Sequence, residues 1–329
     1  MSKRKPKAKH KPKAKTDSEA EPVPKHIRDS ILGHRVRALA IGDSLYHYCS
    51  AEKAVKIFQS GSIRFSDLNG LNDAEEGVWG YRVFAEAKQK ISNRTGLPSG
   101  FPNVSDEFLS RLDSYWQDFQ SYSSPFVACF SLDGDSLSQW RAYADDGRGL
   151  AIGFSGSCIL SIPCRNVTVC YDADQQLSEM VEAIGFVKME LDGVTTHYGE
   201  EEASLFELFA SHLVGCSVAF KNPAFRDEHE VRSIHLVSAK MEEDGWTLMD
   251  EGGRVHGKNV PGGEIGFESR RGRIVGYLDL PFSTGDKANA ISEIVLGPKS
   301  EIDERSLNFL LGNLGYGLPR IRRAGVAYR

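Results

Sequence analysis

The apolar positions of the chain form short strand-like runs that alternate irregularly with helical patterns. A buried strand is predicted at 44–49, and a helix at 51–60 follows it, capped by Ser50 and ended by Gly61. Further strands are predicted at 62–66, 126–131, 149–154, 166–171, 230–238, 246–249, 273–281 and 291–296. Helices are predicted at 74–92, 105–121, 175–191, 200–220 and 301–314, the last with a cap near Ser300. Gly-rich linkers are predicted at 252–266 and 283–285.

This succession predicts an α+β protein with mixed, mostly antiparallel sheets and flanking helices. The strands are scattered among the helices, whereas parallel α/β folds show a regular strand and helix alternation. Gly and Pro residues separate the two helical patterns near 74–121, which indicates a helical insertion. We expect a tail and linker over 1–40 and a single domain over 41–329.

The charge of the chain is strongly asymmetric. Residues 1–28 contain ten Lys or Arg and three acidic residues, so this tail carries +7 and the remaining residues carry −12. Repeated Lys, Pro and Ala cannot bury enough apolar surface to fold, and the tail is therefore predicted to be disordered. Such a tail can bind nucleic acid by neutralising phosphates, but a solvated tail without a specific partner is an equally good interpretation. The acidic remainder argues against a broad nucleic-acid-binding face.

Neither a membrane segment nor a metal site is predicted. No apolar run approaches the roughly 18 residues that a spanning helix requires, and no apolar stretch of a secretory signal follows the Lys-rich start. The expected location is the cytoplasm. The six cysteines include no Cys-x-x-Cys pair, so free thiols are expected and no structural zinc.

The stretch 125–154 is the most informative part of the sequence. It places polar and aromatic residues between two apolar, strand-like runs, with Ser131 at the end of the first run. Trp140 and Tyr143 are three residues apart and share one face of a predicted helix. Aromatic residues at this spacing are more often core than ligand contacts, and both interpretations stay open.

Two further polar residues lie within predicted strands. His47 lies between two tyrosines in the first strand, and Glu293 lies in a late strand that is otherwise apolar. A lone His among apolar neighbours is more often a hydrogen-bonded core residue than a ligand contact. Glu293 either faces water on a two-sided sheet or has a chemical role.

Several blocks of the sequence resemble the bacterial family known as domain of unknown function 2971. The blocks keep the order of that family and lie at 45–50, 61–66, 71–76, 125–154, 225–232 and 291–298. The resemblance implies no activity, because none is attached to the family.

A second resemblance concerns pattern and order. A strand with Tyr-His-Tyr, a Ser-capped helix, a middle strand with Phe-Ser, an aromatic helix and a late Glu are similar to ADP-ribosyltransferases of the His-Tyr-Glu type, in particular the nucleic-acid-modifying toxin branch. The resemblance implies an ADP-ribosyltransferase-like fold, NAD as co-substrate and a toxin or anti-phage defence role. It implies that Glu293 and Tyr143 are catalytic, with NAD contacts from His47, Tyr48, Ser50, Arg64, Ser131 and Trp140.

The chemistry of NAD cleavage is compatible with such a residue set. Breaking the nicotinamide–ribose bond builds positive charge on the ribose, which a fixed carboxylate stabilises. No general acid is needed, because the leaving nicotinamide is already cationic in NAD.

A second group of charged residues supports alternative functions. Glu228, Glu230 and Arg232 would share one face of a predicted strand, as a salt-bridge cluster or as a site for ribose or Mg²⁺. The same interpretations apply to Asn72, Asp73 and Glu76. Together with Glu293, the acidic pair Glu228 and Glu230 would make a metal-dependent nuclease. A third hypothesis is a non-catalytic nucleotide-sensing or partner-binding module.

Overall fold

The computed structural model of the protein describes residues 44–71, 76–195, 202–242, 245–282 and 287–328. The strands are β1 (Ser44–Cys49), β2 (Ser62–Asp67), β3 (Ser123–Ser131), β4 (Leu150–Ser155), β5 (Arg165–Thr168), β6 (Glu230–Glu242), β7 (Gly245–Met249), β8 (Gly253–Val255), β9 (Lys258–Val260), β10 (Ile265–Arg270), β11 (Arg273–Pro281), β12 (Ile291–Leu296) and β13 (Arg320–Arg323). The helices are α1 (Ala51–Ser60), α2 (Glu76–Ser92), α3 (Asp106–Tyr122), α4 (Leu137–Tyr143), α5 (Gly156–Ile159), α6 (Ala173–Thr195), α7 (Glu202–Ser217) and α8 (Glu304–Leu314).

One large sheet branches at β3. Strand β3 pairs with β6 along the whole length of β3. The other edge of β3 pairs with β2 near Phe126 and with β1 only at Ser131. From β1 the sheet continues through β4 and β12 to β13, and from β2 it continues through β11 to β10. All pairs in this sheet are antiparallel except β12 with β13. The mixed, mostly antiparallel sheet with its flanking helices confirms the predicted α+β class.

The two faces of the β1–β4–β12 part are both covered. One face carries Leu45, Ile152 and Ile294 and packs against α1 and α8 in the largest core cluster. The opposite face carries Tyr48, Ala151 and Val295, and it packs against α4 and the C-terminal residues Ala324 and Val326. Because side chains alternate along a strand, each residue of these strands belongs to one of two separate environments.

The remaining long helices form a layer of their own. Helices α2, α3, α6 and α7 share a second core cluster, in which Phe84 stacks on Trp116. The predicted insertion over 74–121 therefore contributes two helices, and α6 and α7 supply the other two. Within the described residues, no helix is both long and apolar enough to cross a lipid bilayer.

Local signals account for the elements that were predicted best. The side chain of Ser50 accepts a hydrogen bond from the Lys53 amide at the start of α1, and Gly61 ends this helix with a left-handed φ of 64°. A glycine adopts this conformation without the strain that a Cβ atom would cause. The helix therefore begins and ends where the sequence predicted.

Other predictions were wrong at the C-terminal side. The supposed Gly-rich linker over 252–266 contains β8, β9 and the start of β10, because short hairpins need glycines at their turns. Helix α8 is capped by Asp303, which accepts from the Ser306 amide, and not near Ser300. Strand β13 had no predicted counterpart. The predicted tail and linker over 1–40 lie outside the described residues.

Candidate active site

His47 and Glu293 lie on opposite faces of the sheet. The ring of His47 contacts Phe130 edge to face and its Nδ1 lies 3.1 Å from the carbonyl oxygen of Cys129, on the side of the main core. Burial lowers the pKa of His47. Glu293 instead lies on the α4 side with Tyr46. The structure therefore does not bring His47 and Glu293 into one cleft, and the interpretation of His47 as a hydrogen-bonded core residue fits its contacts.

Glu293 is held by a tyrosine and an arginine. The hydroxyl of Tyr46 donates to Glu293 Oε1 at 2.6 Å, and Arg322 Nε donates to Oε2 at 3.2 Å. Gly153 of β4 lies between Tyr46 of β1 and Glu293 of β12 in the sheet. Because Gly153 has no side chain, the side chains of Tyr46 and Glu293 contact each other across β4. Burial opposes ionisation of Glu293, but the hydrogen bonds from Tyr46 and Arg322 outweigh it and lower the pKa of this carboxyl. Burial, together with Glu293, raises the pKa of Tyr46 to about 12.

Trp140 and Tyr48 are core residues. Trp140 is 0% exposed, and its Nε1 donates to Asp135 Oδ1 at 2.9 Å. Its ring lies edge to face against Tyr48, whose hydroxyl donates to the Asp133 carbonyl oxygen and accepts from the Ser136 amide. The core interpretation therefore describes both rings, since neither offers an open face to a ligand.

Three other predicted NAD contacts have structural partners. Ser50 caps α1, as described above. Arg64 on β2 forms ion pairs with Asp279 and Glu268 of β11 and β10, and it stacks on Tyr277. The buried hydroxyl of Ser131 donates to the Glu228 carbonyl oxygen at 2.9 Å. Ser131 therefore positions the backbone of Glu228.

The second predicted cluster does converge, around a lysine that the sequence did not single out. Lys221 Nζ donates to Glu228 Oε2 at 2.5 Å and to Glu230 Oε2 at 2.9 Å. On the other side of Glu230, Arg232 Nε donates to Oε1 at 2.8 Å. Tyr143 donates its hydroxyl to Glu228 Oε1 at 2.9 Å. The side chains of Lys221, Glu228 and Glu230 are 5%, 11% and 4% exposed.

One detail of this cluster was predicted wrongly. Glu228 is the last residue of a short 3₁₀ turn, Pro223–Glu228, and only Glu230 and Arg232 lie on β6. His229 joins the two elements with a left-handed φ of 45°. Both carboxylates still bind Lys221, because Glu228 and Glu230 lie on the two sides of His229.

The two carboxylates of the cluster differ in their ionisation. Burial raises the pKa of Glu228, and the ion pair with Lys221 only partly offsets this effect. Burial also opposes ionisation of Glu230, but Arg232 and Lys221 outweigh it and lower the pKa to about 2. Two adjacent carboxyls with pKa values pushed apart are typical of a base and a permanently ionised partner in an active site.

Half-buried aromatic rings surround the cluster. Tyr171 accepts a hydrogen bond from the Glu230 amide at 3.1 Å, and the ring centroid of Phe225 lies 5.0 Å from Lys221 Nζ. Tyr143, Tyr171 and Phe225 all keep part of their surface exposed. A planar ligand group could contact these rings while it reaches Glu228.

Lys221 is the functional candidate that the sequence reasoning missed. It follows the apolar run Val218-Ala219-Phe220 just beyond α7, and its backbone is held by Cys170 and by the side chain of Gln176. A single lysine directly after a buried apolar run, a few residues before two glutamates, was the available signal. Lysine is almost never fully buried unless paired, so such a position predicts a carboxylate partner.

The structure does not test the other predicted acidic cluster, Asn72, Asp73 and Glu76. Asn72 and Asp73 lie outside the described residues, and Glu76 is the first residue of α2. Across the described ranges, no three His, Cys, Asp or Glu side chains are grouped so that they could hold a metal ion.

Comparison with known proteins matches part of the chain to a family model. The family model described as "Protein of unknown function (DUF2971)" matches residues 139–233, which confirms the family resemblance. This region contains Tyr143, Tyr171, Lys221, Glu228 and Glu230. No curated protein and no solved structure gives a significant match to the chain.

Proposed function

We propose that the protein is an enzyme that cleaves a glycosidic bond with Glu228 as its base, and that NAD is the co-substrate from which it transfers ADP-ribose. The observation that carries the proposal is the carboxylate pair at Lys221. Glu228 has a raised pKa and lies at the edge of the cluster, whereas Glu230 has a pKa of about 2 and is fully enclosed. Paired carboxylates of this kind serve glycosidic chemistry.

Each group has a definite role in the proposed reaction. The nicotinamide–ribose bond breaks, and nicotinamide leaves as a neutral molecule with the bonding electron pair. As the oxygen of an acceptor hydroxyl or of water bonds to the ribose carbon, Glu228 takes up its proton. A raised pKa makes Glu228 a stronger base near neutral pH. Glu230 contributes fixed negative charge near the developing cation.

Tyr143 and Lys221 act as positioning residues. The Tyr143 hydroxyl holds Glu228 Oε1, and Lys221 holds the other oxygen and joins it to Glu230. Together they fix the orientation of the Glu228 carboxylate. Fixed geometry contributes to catalysis because the reacting groups need no rearrangement in the transition state.

The proposal replaces Glu293 by Glu228 as the reacting carboxylate. The pKa of Glu293 is lowered whereas that of Glu228 is raised, so Glu293 is the weaker base, and His47 lies on the other face of the sheet from Glu293. Support for NAD itself comes from the sequence resemblance to ADP-ribosyltransferases. The ADP-ribosyltransferase-like fold, a toxin or anti-phage defence role and a nucleic-acid acceptor delivered through the basic residues 1–28 belong to the same proposal.

The decisive experiment measures nicotinamide release from NAD by the full chain and two matched variants. Glu228→Gln keeps the size of the side chain and removes its charge, and we expect turnover to fall by about a hundredfold or more. Glu293→Gln is the control, because it makes the same chemical change in a carboxylate outside the cluster; its turnover should stay within a few-fold of the wild type.

Three results would change this conclusion. The absence of NAD turnover in the wild-type protein, with and without candidate acceptors, refutes the proposed function. Loss of turnover in Glu293→Gln alone returns the catalytic role to Glu293. Nuclease activity that requires added Mg²⁺ would favour the metal-dependent alternative.

A further inference from the structure

Strand β10 lies at an open edge of the large sheet and exposes an apolar face there. It pairs only with β11 among the described strands. Phe267 on β10 is 61% exposed, and Ile274 on β11 is 83% exposed. An apolar edge strand with unpaired backbone groups normally acquires a pairing partner or is blocked by charge or proline.

The exposed apolar face continues the main core. Ile265 pairs with Leu278, Phe267 with Gly276 and Ser269 with Ile274, so these side chains share one face of the β10–β11 hairpin. Leu278 is fully buried in the main core, and Ile265 packs against it. Phe267 and Ile274 therefore extend this core toward the solvent. No charged side chain of β10 lies on the face that carries Phe267 and Ile274.

We propose that β10 is a dimerisation strand, which pairs antiparallel with β10 of a second copy about a two-fold axis at Phe267. The strand is complementary to itself in this register. Phe267 lies opposite Phe267 of the second copy, and Ile265 lies opposite Ser269. Directly opposed side chains in such a pair lie about 5 Å apart, so the two phenyl rings bury each other.

Charge complementarity supports the same register. Glu264 directly precedes β10, and continued alternation puts Glu264 of each copy opposite Arg270 of the other copy, on the other face and at both ends of the paired segment. Glu264 is exposed in one chain, and Arg270 already contacts Glu268 at the surface. The alternative register centred on Glu268 would place two glutamates opposite each other, which is unfavourable. A two-fold axis pairs the β10 edge of each copy with the β10 edge of the other. No β10 edge is then left to bind a third copy, so no fibre forms through β10.

The test is sedimentation of the full chain over a range of concentrations. We expect twice the 36.4 kDa of one chain at high concentration, and dissociation on dilution. Phe267→Lys places two like charges at the axis and should give monomers. Phe309→Lys, at an exposed phenylalanine on α8, is the matched control and should leave the dimer intact. Circular dichroism checks the fold of each variant.

A charge exchange tests the register. Arg270→Glu alone should weaken association at least tenfold, and so should Glu264→Arg alone. The double variant restores the opposed charges, and association should return to within a few-fold of the wild type. A chain that stays monomeric, or a Phe267→Lys variant that dimerises like the wild type, overturns the proposal. Failure of the double variant to recover overturns the pairing centred on Phe267.

Discussion

Replacing Glu230 by Gln should reduce stability in a pH-dependent way. The Glu230 side chain is almost fully buried between Lys221 and Arg232, and these cations lower its pKa from 4.5 to about 2. This difference corresponds to about 3 kcal/mol of stability at neutral pH. Because the pKa is lower in the folded state, this contribution is present above pH 4.5 and is lost as the pH falls toward 2. The linkage relation gives a loss of about 2 kcal/mol by pH 3.

Urea denaturation followed by tryptophan fluorescence at pH 7, 5, 4 and 3 measures this effect. At pH 7 we expect Glu230→Gln to be less stable than the wild type by about 3–5 kcal/mol, the usual cost of breaking a buried ion pair. The difference should shrink by about 2 kcal/mol at pH 3, because Glu230 is then increasingly protonated on unfolding. Glu52→Gln, in an exposed pair with Lys56, is the control and should leave stability unchanged, because solvent screens the pair. Parallel curves for wild type and Glu230→Gln would refute the reasoning.

Three further outcomes are expected. Gly153→Ala places a Cβ 3.1 Å from the Tyr46 ring, and it should lower the free energy of unfolding by about 1–3 kcal/mol in urea denaturation. Gly312→Ala on α8, where the space is open, should raise it by about 0.5–1 kcal/mol. Equal effects of the two substitutions would contradict this account. Trp140→Phe removes the bond to Asp135 and should cost about 2 kcal/mol in the same assay; an unchanged midpoint would be inconsistent with it. Deletion of 1–28 should leave the melting temperature unchanged, and a clear drop would show docking.

The elements predicted best were those specified by neighbouring residues. The strand at 44–49, the Ser50 cap and the Gly61 terminus all follow from a few adjacent positions. Strand alternation puts His47 on the face of β1 opposite Tyr46 and Tyr48, although the resemblance had implied one site for His47 and Tyr48. It could not show which face Glu293 shares, because that depends on the register of β12 against β4.

The candidate site depended on contacts that no local pattern specifies. Glu228 and Glu230 were predicted as a pair from their spacing, but Lys221 meets them from a loop after α7. Tyr143 reaches Glu228 across 85 positions of the chain. Such distant pairings arise from the topology of the sheet, so residue types alone left several arrangements open.

The long-range pairing in the branched sheet has a consequence for synthesis on the ribosome. The bond between Tyr46 and Glu293 spans 247 positions, and that between Tyr316 and Phe58 spans 258. The face of β1 that packs against α4 therefore gains its contacts with β12 only after most of the chain has emerged from the ribosome. Until then, β1 and β4 expose apolar surface and an unpaired edge, which makes the nascent chain a natural client for chaperones.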